Sequence, residues 1–136
     1  MSQALAIQAV RDRFIAQVAT PNALAVVYDN GPVPATVTPR AAVTINVEDE
    51  RQRTFGQRSF RITGRMQVEL AVPRERGDAA LLDLANDVLV AFRGKTATTP
   101  IPVRFTPPPT LVGGVDYDDA MARRTVSVPF LCDFTA

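Results

Sequence analysis

Arg58-Ser59-Phe60-Arg61-Ile62-Thr63-Gly64-Arg65-Met66-Gln67-Val68-Glu69-Leu70-Ala71-Val72-Pro73 is the stretch that decides the fold. Apolar residues occupy every second position at Phe60, Ile62, Met66, Val68, Leu70 and Val72, with Gly64 in the same register. Polar Ser59, Arg61, Thr63, Arg65, Gln67 and Glu69 lie between them. Side chains on a strand alternate between faces, so the pattern predicts a long strand with one dry face and one face open to water or a partner. Pro73 has no amide proton for a ladder and ends it. After Arg74-Glu75-Arg76-Gly77, the spacing of Leu81, Leu82, Ala85, Val88, Leu89 and Phe92 predicts a helix, capped by Asp78 and closed by Gly94. That helix and that strand each have one apolar side, and together they make a core.

Further elements follow on both sides. Residues 2 to 19 read as a helix with Ile7, Val10, Phe14 and Val18 on one stripe. A short strand at Ala23 to Tyr28 precedes the turn signal Asp29-Asn30-Gly31-Pro32, and a strand from Arg40 to Val47 alternates in its turn. Glu48 to Gln57 is dense in charge, holds Phe55, and reads as a loop longer than a hairpin needs. Ile101 to Thr106 is a strand candidate broken up by prolines, Leu111 to Asp119 reads as a loop, and Arg124 to Phe134 as a closing strand. The expected fold is a single α+β domain over residues 1–136, with a largely antiparallel or mixed sheet and both helices packed on one face. The long strand, about 15 residues at roughly 3.3 Å each, spans some 50 Å, against a radius of gyration near ~14 Å for such a domain. A long protruding β-hairpin or loop is therefore expected.

Composition narrows the chemistry. The chain has no histidine, which removes the side chain that most often moves protons near neutral pH and the commonest metal ligand. Its net charge is +1, so no global field draws it to nucleic acid or anionic lipid. Among 15 basic residues only Lys95 is lysine. Arginine's planar fork suits protein interfaces, although a GC-rich genome yields the same bias. No apolar run is long enough for a membrane span and no secretory signal is read at the start, so a cytosolic site of synthesis is expected. Gly94-Lys95-Thr96 lacks the first glycine and leading strand of a phosphate-binding loop, and Asp116, Asp118 and Asp119 lack the spacing of a calcium loop. Cys132 falls on the apolar face of the last strand and reads as core. No enzymatic activity, cofactor or metal is expected.

Several landmarks fall in a recognisable order. They are a helix ending near Pro21, a short strand closing on Tyr28-Asp29-Asn30, a charged loop with Phe55-Gly56, a long strand holding Gly64, a helix reaching Phe92, and the closing Val128-Pro129-Phe130 with Asp133-Phe134. In these the chain resembles the tail terminator proteins of long-tailed bacteriophages, also called minor tail or tail completion proteins. The resemblance implies a structural virion protein that forms a hexameric ring on the head-proximal end of the tail tube. Such a ring ends tube polymerisation, meets the tail tube protein and a head completion or connector protein, and lets DNA pass without specific contact. A ring contact is heterologous. Arg51, Arg53, Phe55, Arg58, Arg61 and Arg65 are the expected patch, with Asp116, Asp118 and Asp119 as candidate opposites. The alternatives are a head completion or tube protein, or a small nucleic-acid-binding module using the arginine row.

Overall fold

The structure, a computed structural model, describes residues 2–28, 39–52, 59–74, 77–98, 101–117 and 120–135. Helix α1 (Ser2–Phe14) runs into one π-helical turn (Ile15–Ala19) and is followed by β1 (Ala25–Tyr28), β2 (Arg40–Gln52) and β3 (Ser59–Pro73). Helix α2 (Gly77–Phe92) comes next, then β4 (Thr96–Ala97), β5 (Val103–Arg104), β6 (Thr110–Tyr117) and β7 (Met121–Thr135). The seven strands form one mixed, open sheet in the order β1-β2-β3-β7-β5-β4, with β6 also pairing β7. Only β1 and β2 run parallel.

The decisive stretch behaves as its alternation dictates. Ile62, Gly64, Met66, Val68, Leu70 and Val72 are buried, whereas Arg65 and Gln67 are exposed. Opposite them on β7, Val126, Val128, Phe130 and Cys132 are buried on the same side. Both helices cover this side. Helix α1 contributes Ala6, Ala9, Val10 and Phe14, the π-helical turn Val18, and α2 Leu81, Ala85, Val88 and Phe92. Each such large side chain removed from water contributes roughly 1.5–3 kcal/mol before entropy is subtracted. Phe105 closes the lower end edge-on to Phe92, with ring centroids 4.8 Å apart. Gly94 has φ +64 and stops α2, a left-handed position that glycine adopts without penalty.

Four expectations are corrected. Glu48 to Gln52 is strand: β2 continues past a bulge between Val47 and Asp49 and pairs with β3 as far as Gln52↔Phe60. Residues 110–117 are strand too, because β7 offers a free edge on which β6 pairs at Thr110↔Ser127 and Tyr117↔Ala122 around the irregular Gly113-Gly114. Asp78 lies inside the first turn of α2, and its Oδ1 accepts the Tyr117 hydroxyl at 2.6 Å. Lastly, the chain itself supports the far end of β3. Strand β7 pairs with it from Pro73↔Met121 to Ser59↔Thr135, Ile62 and Cys132 are fully buried there, and Gln3 of α1 donates to Glu50 Oε1 at 3.4 Å. The β2–β3 hairpin is present; its turn, at residues 53–58, lies outside the described residues, as does the turn signal after Tyr28.

Candidate interaction surface

The side of the sheet away from the helices carries the polar positions of β2, β3 and β7, and there the arginines find acids across strands. Arg61 lies directly opposite Asp133 and makes a two-pronged bond, Nε to Oδ1 at 2.8 Å and Nη2 to Oδ2 at 3.2 Å. Arg104 of β5 donates to the same carboxylate at 3.1 Å. Arg65 bonds Glu48 Oε1 at 3.2 Å and Ser127 Oγ at 3.1 Å, and Arg123 bonds Glu69 Oε1 at 3.2 Å. The hydrogen bond to Asp133, and then its charge, hold the Arg61 guanidinium even more firmly protonated than usual. Ser127, flanked by Gln67 of β3 and Thr110 of β6 and bonded by Arg65, is 1% exposed.

The bulge at Val47 decides who joins this surface. Before it the odd-numbered residues of β2 face the helices, as Ala41, Val43, Ile45 and Val47 do. After it Asp49 pairs with Thr63 and Arg51 with Arg61, so the odd-numbered residues face away while Glu50 turns toward α1. Arg51 thereby stands beside Arg61 on the polar face, paired along its own strand with Asp49.

Of the residues singled out in the sequence, Arg51, Arg61 and Arg65 lie together on this face. Asp116 sits on it as well, but registered against Arg123 of its own chain, so it has a neighbour already. Arg53, Phe55, Arg58, Asp118 and Asp119 fall outside the described residues. Sequence reading missed Asp133, Glu48, Glu69, Arg104 and Arg123. The first is the hub for two arginines, and period-two registration of β3 with β7 was the one signal that pairs it with Arg61.

Concave features are shallow. A groove of about 520 Å³ beside β1 is lined by Ile15, Ala19, Leu24 and Val26 and has no charged side chain. Another, of about 260 Å³ between α1 and β4, holds Asp12, Arg13 and Thr96, and Arg13 Nε donates to the Ala91 carbonyl at 3.0 Å. Among the described residues no group of three or more His, Cys, Asp or Glu is placed to hold a metal ion, and no helix is long and apolar enough to cross a membrane. The Cys132 thiol is pushed above its ordinary range, first by burial and then by the neighbouring Asp133 charge.

No family model matches the chain, and no curated protein matches it. The fold is nonetheless shared with proteins of known structure. One solved chain, whose name states no function, superposes with a TM-score of 0.69 at 18% identity, covering 95% of this chain and 96% of that one. That likeness establishes the α+β fold.

Proposed function

We propose that this chain is a structural component of a long-tailed phage virion, a tail terminator that forms a hexameric ring on the head-proximal end of the tail tube. The observation that carries this reading is the ordered set of landmarks in the sequence, two of which touch in the fold. Gly64 of β3 has no Cβ, and the space is taken by the Phe130 ring of β7, so landmarks from the middle and the end of the chain form one packing unit. A broad polar sheet face beside a helix-covered core suits a part that meets other proteins on several sides. In this reading the ring meets the tube protein below and a head completion protein above, and does no covalent chemistry. Arg61, Arg65 and Arg123 each engage an acid of the chain, which leaves fewer guanidinium groups for phosphate than the row in the sequence offers.

The test is deletion of the gene in the parent phage, followed by electron microscopy of the particles. Overlong or headless tails are expected. Tails of normal length joined to heads refute the assignment.

A further inference from the structure

Two patches of opposite sign stand on opposite sides of the molecule, and each repels itself. On the polar sheet face, Arg51 and Arg61 are directly opposed across β2 and β3, and Arg104 reaches the same row through Asp133. Among the described residues three guanidinium groups of this row meet two carboxylates, Asp49 and Asp133, with side chains of Arg51 81% and Arg104 54% exposed. Like charges directly opposed on a sheet are unfavourable. On the outward side of α2, Asp83 and Asp87 are one turn apart, exposed, and without an ion-pair partner among the described residues. Like charges at that spacing on a helix are unfavourable too. Leu82 and Val90 flank them, 46% and 55% exposed, so this face combines acid with apolar surface.

We infer that the arginine row around Arg51 docks on the acidic face of α2, at Asp83 and Asp87, of a second copy of this chain. This rests on the ring reading above and names the two surfaces that meet in it. The spacings agree: opposed strand residues and residues one helical turn apart both hold their Cβ atoms about 5 Å apart. The helix layer and the polar face are separated by the sheet, so the patches cannot meet within one molecule. The contact is head-to-tail, the kind that closes into a ring or grows into a filament. Leu82 and Val90 supply the apolar centre that an ion-paired contact needs to hold at physiological salt.

The test is charge reversal read by sedimentation over a range of protein and salt concentrations. The wild-type chain self-associates, more weakly as salt rises. Arg51→Glu and Asp87→Arg each weaken association about tenfold or more, since attraction becomes repulsion, with unchanged melting temperatures. Mixed in equal amounts the two variants associate again, because every contact in an alternating assembly is then matched, and the double variant does so alone. A wild-type chain that stays monomeric throughout, or an oligomer indifferent to both reversals, overturns the docking; the ring reading is judged separately by the particle images. Random-sequence duplex DNA is the further arm: binding lost in Arg51→Glu while self-association is untouched makes nucleic acid the occupant and overturns the proposal.

Discussion

A methyl group added at Gly64 sits 2.5 Å from the Phe130 ring and from the Asn46 carbonyl oxygen, distances that no Cβ tolerates. Phe130 is 1% exposed and hemmed in by the core, so it has nowhere to turn. Gly64→Ala is therefore expected to cost about 1–3 kcal/mol, read as a lower urea midpoint with an unchanged slope. The thiol of Cys132 gives a pH signature. Its pKa is raised in the fold, so the native state holds its proton where the unfolded chain has released it, and stability falls as pH rises past the unfolded thiol's value of roughly 8.5. Urea midpoints measured between about pH 8 and 9.5, below the tyrosine range, should decline, and Cys132→Ala should flatten that decline. The identity of Cys132 as core and the side of the strand on which Gly64 lies were legible from alternation alone. The partner of Arg61 was not, because a carboxylate 72 residues away is found only once register is known.

At the scale of elements, period-two and three-and-four spacing located β3, α2 and the body of β7. Three things escaped them. The bulge after Val47 reverses the parity of β2, so the alternation that marks a strand stops at the residue where the strand merely changes sides. Strand β6 has little inward burial of its own and a Gly113-Gly114 break, and it exists because β7 presents an edge. Strand β4, only Thr96–Ala97, carries no alternation to read and exists because β5, inside the expected segment Ile101 to Thr106, offers it Val103 and Arg104 as partners. Deleting Glu48 removes the extra residue, so Val47 runs straight into Asp49 and the pairings Asp49↔Thr63 and Arg51↔Arg61 are kept, along with the sides they face. Hydrogen exchange at 49–52 and 59–62 is then expected to stay as slow as in the parent chain; faster exchange confined to these residues would show that the bulge, and not the register, holds the far end together. Truncating Leu81, a fully buried residue of α2, should cost about 2–5 kcal/mol in Leu81→Ala.

Across the whole molecule, one apolar cluster joins both helices to every long strand from β2 to β7. A chain of 136 residues built this way should unfold in a single step, with far-UV and near-UV signals changing together in urea. An early loss of helical signal would mean that α1 is a separable unit. The fold class was legible because burial on one side only leaves few ways to arrange two helices and a sheet. The interaction surface was legible in part: its arginines stand out in the sequence, yet the acids that engage them are set by pairings between distant segments.

The fifteen-residue match between β3 and β7 also has a mechanical meaning. The rungs of that ladder lie across the strand axis. A pull along the axis at opposite ends of the pair strains all of them at once, whereas a pull sideways opens them one after another. The protein is thus a stiff strut in one direction and a zipper in the other, so its orientation in any load-bearing assembly determines how much tension it withstands.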